Sequence, residues 1–184
     1  MTVDPRGAAR RPGISLPVPN RDHIQGPIDA PVALVEYGDY ECPHCGRAYP
    51  MVKAIQKRMG DRLCFAFRNF PLTNIHPHAE HAAEAAEAAG ALGRFWAMHD
   101  LLFENQDALE DEALARYAGS LGLDAERLLD EVRSGAHAER VQEDRHSGAR
   151  SGVNGTPTFF INGVRYDGEY SLDEMLAVLE AMVK

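Results

Sequence analysis

Residues 76–152 form a stretch of 77 residues that is patterned as helix throughout and is set between two regions of strand character. Candidate helices fall at 77–89, 93–104, 110–121, 124–133 and 136–149, with Gly90, Gly119, Gly122 and Gly135 as punctuation. Ahead of this block, residues 31–37 are a short apolar run suited to a buried strand. A helix is predicted from Pro43, because proline is tolerated in a first helical turn. Ala48, Met51, Val52, Ile55 and Met59 then repeat at helical spacing, and Gly60 ends the run. Residues 63–67 read as a second strand. Beyond the block, residues 158–161 and 164–166 flank Asn162-Gly163, a strong hairpin signal. Ser171 to Glu174 fits a capping box for a last amphipathic helix. Without the block a small α/β unit remains. The expectation is an α/β fold with a helical insertion, about 76–152, lying over the sheet and walling a groove.

Residues 1–25 are rich in Pro, Gly and Arg and read as a flexible N-terminal segment, which leaves 26–184 as one domain. The formal net charge is -9, with residues 1–21 contributing +3 and the rest -12. An acidic body of this kind speaks against nucleic-acid binding. No run approaches the ~18 apolar residues of a membrane span. The arginines near the start are not followed by an apolar stretch, so no signal peptide is visible and a cytoplasmic location is expected. With 45% hydrophobic residues, a core needs no disulfide staples. Three cysteines, Cys42, Cys45 and Cys64, are too few for a secreted disulfide framework.

Cys42 and Cys45 are separated by Pro43 and His44 at the predicted strand-to-helix junction. One helical turn brings them to one face, near the ~5.5 Å Cα separation of a disulfide. At the helix start, unpaired N–H groups and the helix dipole favour a thiolate at Cys42, the attacking species in disulfide exchange. Cys45, inside the helix, would resolve the mixed disulfide. His44 would lower the Cys42 pKa when protonated or donating a hydrogen bond. Asp39 and Glu41 oppose this with negative charge. A zinc site is the rival reading of the pair, with Cys64, His76, His78 or His81 as further ligands. Otherwise Cys64 reads as a core residue, the three histidines as structural, and Phe95 and Trp96 as packing within the block.

The strand, Cys42-Pro43-His44-Cys45, the helical block and Gly155-Thr156-Pro157-Thr158-Phe159-Phe160 together resemble the DsbA-like thioredoxin-fold thiol–disulfide oxidoreductases, over roughly residues 26–184. The resemblance implies a thioredoxin-like fold and a redox-active Cys42–Cys45 pair that needs no other cofactor and no metal. It implies a cis peptide bond before Pro157, with Thr156 and Pro157 facing the dithiol and binding substrate backbone. Glu36, six residues before Cys42, matches a family acid that moves protons to and from Cys45. Strand alternation alone leaves open whether Glu36 points under the pair or to solvent.

The expected activity is disulfide exchange with protein thiols, protein disulfides or glutathione. A DsbA-type couple lies ~100 mV above cytosolic glutathione, about 4.6 kcal/mol, so in the cytosol it would stay reduced and act as a reductase or isomerase. Two alternatives stand beside this: a non-redox zinc- or protein-binding module on the same scaffold, and a glutathione-dependent transferase or isomerase that does without Cys45.

Overall fold

The computed structural model describes residues 16, 17 and 19–183. Most of the N-terminal segment expected to be flexible, residues 1–15, lies outside them. Its last part is not a free tail: His23–Gln25 is strand β1 and Asp22 is buried. Strand β2 follows at Val32–Gly38 and helix α1 at Pro43–Met59. A 3-10 turn at Gly60–Arg62 leads into β3, Leu63–Asn69. The insertion supplies α2 (Ala79–Ala91), α3 (Phe95–Glu104), α4 (Asp111–Ser120), α5 (Ala125–Arg133) and α6 (Ala138–Arg150). The chain returns through β4 (Thr158–Ile161) and β5 (Val164–Arg165) to α7 (Leu172–Ala181).

The strands form one mixed sheet in the order β1-β3-β2-β4-β5. The central pair β2 and β3 is parallel, with Glu36 opposite Phe67, and the other pairs are antiparallel. Both faces of the centre are covered, so β2 and β3 carry apolar residues almost without alternation. Leu34, Phe65, Phe67, Phe159 and Ile161 pack on one side with Cys45, Val52 and Ile55 of α1 and Met175 and Leu179 of α7. Val35, Tyr37, Ala66, Phe70 and Phe160 pack on the other. There α6 crosses close to the sheet. A side chain at Gly148 would meet the rings of Phe70 and Tyr37, so this glycine inside a helix is a contact residue rather than a break.

A buried polar network ties the N-terminal strand to the insertion. Arg68 on β3 donates to both carboxylate oxygens of Asp22, at 3.0 and 2.8 Å, and to the Tyr37 hydroxyl at 3.0 Å. Tyr37 in turn meets Ser147 of α6 at 2.6 Å. Asp144 of α6 accepts from Arg140, Arg21 and the Asn69 backbone N–H. Glu87 of α2 holds Asn69 and His23. This network is why β1 is ordered although a three-residue strand has little pairing of its own.

Removing one partner of a fully buried ion pair leaves the other charged and unpaired. Asp22→Ala is therefore expected to lower stability by roughly 3–5 kcal/mol, read as a drop in the urea midpoint with little change in slope. A loss below about 1 kcal/mol, the level of an exposed pair, would show that the network does not hold the N-terminal strand.

Candidate active site

Cys42 directly precedes α1 in extended conformation, and Pro43 occupies the first helical turn, where its missing N–H costs nothing. The thiols of Cys42 and Cys45 are both free and buried. Asp39, the first residue after β2, is the hub of the approach to them. Its carboxylate accepts from the backbone N–H groups of Glu41 and Leu72, each at 2.8 Å, and pairs with His76 Nδ1 at 2.7 Å. Its backbone N–H points at Cys45 Sγ, 3.5 Å away, and its carbonyl accepts from the Cys42 N–H. Glu41 is engaged in the same way by the backbone N–H and Nδ1 of His78, at 2.7 and 2.9 Å. The two acids expected to oppose a Cys42 thiolate are thus bound to the loop leading into α2.

The two thiols are driven apart. A hydrogen bond with Cys45 is the largest influence on Cys42. Contact with Thr156 and the backbone N–H groups of Cys45 and His44 add to it, and together they overcome burial to lower the pKa from 9.0 to about 5. Burial first, and then the hydrogen bond to Cys42 and the nearby Glu36, push Cys45 well above its ordinary value. Glu36 is buried on the face beneath α1, which settles its direction. Burial, reinforced by Cys42, raises its carboxyl to about 8, and its Oε1 has no hydrogen-bond partner.

On the opposite side, the Thr156–Pro157 peptide bond is cis, and Thr156 O lies 3.4 Å from Cys42 Sγ. His44, Arg47, Ala48, Thr156, Pro157 and Tyr170 line a groove of about 370 Å³ beside this contact. The His44 ring does not turn toward Cys42: its Nδ1 accepts from Arg47 Nη2 at 2.7 Å, and it is the His44 backbone N–H that serves the thiol. So Cys42, Pro43, His44, Cys45, Glu36, Thr156 and Pro157 converge, with His44 acting through its backbone.

Cys64 faces the other side of the sheet, three positions before Phe67 on β3. His76 and His78 are held by Asp39 and Glu41, and His81 by Asp111 at 2.7 Å. Among the described residues, no group of three or more His, Cys, Asp or Glu is arranged to hold a metal ion.

Several residues of the site carry little signal in the sequence. Arg47 stands three residues after His44, a helical spacing that places both on one face. Tyr170 is in no periodic segment. Gln106, in the loop after α3, donates to the carbonyls of Tyr40 and Cys42 from across the insertion. His99 is buried against Tyr40, Phe67, Phe95 and Phe103, and burial lowers its pKa to about 3, so it is a neutral core residue.

A free dithiol at a strand-to-helix junction, facing a Thr-Pro turn on a mixed sheet that carries a helical insertion, defines a DsbA-like thioredoxin-fold protein. The pattern of the family described as Thioredoxin matches residues 19–181, and the chain belongs to that family. Its structure is similar to oxidised BdbD from Bacillus subtilis, with a TM-score of 0.81 and 26% identity over 95% of this chain and 99% of that one. It shares its fold with alpha-DsbA1 from Wolbachia pipientis, with a TM-score of 0.78 and 22% identity over 91% and 93% of the two chains. These likenesses place it among the DsbA-like thiol–disulfide oxidoreductases. In sequence it is 44% identical over 167 residues to a protein of Salinispora tropica named Na(+)/H(+) antiporter NhaA 3, and 45% identical over 163 residues to a Na(+)/H(+) antiporter NhaA of Herminiimonas arsenicoxydans. The chain spans about a quarter of the length of these relatives, 26% in each case. Among the described residues, no helix is long and apolar enough to cross a membrane.

The lowered pKa of Cys42 has a definite sign. Its contribution to the stability of the reduced protein is complete above about 9 and is lost as pH falls through about 5. Glu36 acts oppositely: stability falls as pH rises from 4.5, until the carboxyl ionises near 8. Ultraviolet thiolate absorbance should show one cysteine titrating near pH 5, and Cys45→Ala should move that midpoint upward, because it removes the largest stabilising contact. An unmoved midpoint would mean that Cys45 does not hold the thiolate.

Proposed function

We propose that the chain exchanges disulfides with protein substrates through the Cys42–Cys45 pair, without another cofactor. The observation that carries this reading is the opposed pair of thiols, one lowered to about 5 and one raised, with the lowered one beside the Thr156–Pro157 groove. In reduction, the Cys42 thiolate attacks one sulfur of a substrate disulfide. A Cys42–substrate disulfide forms, and the other substrate sulfur leaves as a thiolate that takes up a proton. Cys45 then gives its proton to the Glu36 carboxylate and attacks Cys42 Sγ. The second substrate thiolate leaves and the Cys42–Cys45 disulfide forms. Two electrons pass from the dithiol to the substrate, and oxidation of a substrate dithiol is the same path reversed. Thr156 and Pro157 present backbone to an extended substrate segment, and Arg47, His44 and Tyr170 border its side chains.

A stabilised Cys42 thiolate favours the dithiol and makes the disulfide oxidising. Held by glutathione in a reducing compartment such as the cytoplasm, the pair is reduced and serves as a reductase or isomerase. The two-cysteine cycle is preferred to a one-cysteine glutathione transferase because Cys45 is buried against Cys42 with an acid beneath it, which a transferase has no use for.

Cys45→Ser is expected to accumulate mixed disulfides with disulfide-bearing proteins, visible as adducts that collapse on adding reductant. Glu36→Gln should slow resolution of the mixed disulfide about a hundredfold at neutral pH, the lower end of the range for loss of an acid–base group, with Cys42 attack largely retained. Purified protein that fails to cycle between dithiol and disulfide in glutathione buffers would overturn the proposal.

A further inference from the structure

The backbone of the dithiol loop is gripped from outside the α/β unit. Gln106 lies in the loop between α3 and α4, 64 residues from Cys42 in sequence. Its Nε2 donates to the Tyr40 carbonyl at 2.8 Å and to the Cys42 carbonyl at 2.9 Å. The Cys42 carbonyl also accepts the Gly46 N–H at 3.0 Å, an opening hydrogen bond of α1. One carboxamide therefore spans the residues just before the helix and the helix start itself. Its Oε1 packs where a side chain at position 46 would stand, so a Cβ on Gly46 would overlap it. Gly46 has no positive φ, so the glycine serves this close approach and not a turn.

We propose that Gln106 is a positioning residue of the redox centre: from the helical insertion it clamps the 40–42 backbone against the start of α1, in the arrangement that aims the His44 and Cys45 N–H groups at Cys42 Sγ. The proposal rests on Cys42 being the nucleophile. It gives the insertion a part in the chemistry beyond walling the groove. Gln106 touches no reacting atom and acts only through the backbone of Cys42. When the clamp is lost, residues 40–42 can move away from the helix start, the N–H groups lose their aim, and the thiolate is held less well. Gly46→Ala should act by the same route, because its methyl group evicts the carboxamide.

The test is titration of the Cys42 thiolate in the reduced full chain, with the reduction potential read in glutathione buffers. Gln106→Ala, Gly46→Ala and the double variant should show one and the same upward shift of about one unit, a thiolate fraction about tenfold lower below the midpoint. The potential should fall, since a weaker thiolate makes the disulfide less oxidising. Gln106→Met keeps the volume and removes the donors, and it should shift as Gln106→Ala does. Three results would overturn the clamp: a midpoint near 5 that no variant moves, a wild-type midpoint in Gln106→Met beside a shifted Gln106→Ala, or shifts that add in the double variant. A wild-type midpoint near 9 would instead overturn the nucleophile reading, and the clamp with it.

Discussion

The structure depends on how Cys42 is solvated. A sulfur removed from water has to find replacement donors, or it stays neutral and unreactive. At Cys42 they are the thiol of Cys45 and the first N–H groups of α1, while on the far side the sulfur faces the Thr156 carbonyl at 3.4 Å. The donors are local, two and three residues on from Cys42, and Thr156 alone comes from a distant part of the chain. The N–H groups are free because a helix cannot satisfy its own first turn. Thr156 is near because β4 runs antiparallel to β2, with Thr158 opposite Tyr37. The sheet order therefore brings a distant residue against this one sulfur.

The same requirement explains what lies around the pair. Asp39 and Glu41, next to the thiolate in sequence, would raise its pKa if they were free. They are instead taken up by backbone N–H groups and by His76 and His78 at the entry to α2. The insertion thus engages both acids that the loop sets beside Cys42. On the other face of the sheet, Asp144, Ser147 and Gly148 of α6 meet Asn69, Tyr37 and Phe70. The insertion is pinned at both the catalytic end and the back of the sheet, which makes it part of the domain.

Much of this was legible in the sequence, for physical reasons. Glycines at or near most helix ends, with Gly148 inside α6 as an exception, let all five insertion helices be placed within a few residues. The strands β2 and β3 are buried on both sides, and unbroken apolar runs mark them. That same burial hid the direction of Glu36, because a strand without alternation shows no face. Strand β1 was missed because three residues cannot carry a period. Its order comes from Asp22 meeting Arg68, 46 positions away. The pairing of Asp39 with His76 and the reach of Gln106 are likewise long-range, and nothing near either residue announces its partner. His44 was expected to act through its ring, yet Arg47 three residues on takes that ring, and the backbone N–H does the work.

The asymmetry of the two thiols also bears on direction. Stabilising the Cys42 thiolate favours the reduced state and makes Cys42 the better leaving group when it is part of a disulfide. Burying Cys45 beside a protonated Glu36 has the opposite kinetic effect, because a neutral, enclosed thiol attacks slowly until its proton has somewhere to go. Glu36 near 8 is poised to be that place: largely protonated while Cys42 is charged, and easier to ionise once the thiolate charge is consumed in the mixed disulfide, since Cys42 is one of the two causes that raise it. Forming the mixed disulfide therefore lowers the pKa of the acid beneath it and readies a carboxylate for the Cys45 proton. Consuming the thiolate charge thus makes the Glu36 carboxylate more available for the Cys45 proton, while burial, the larger cause, still holds its pKa up.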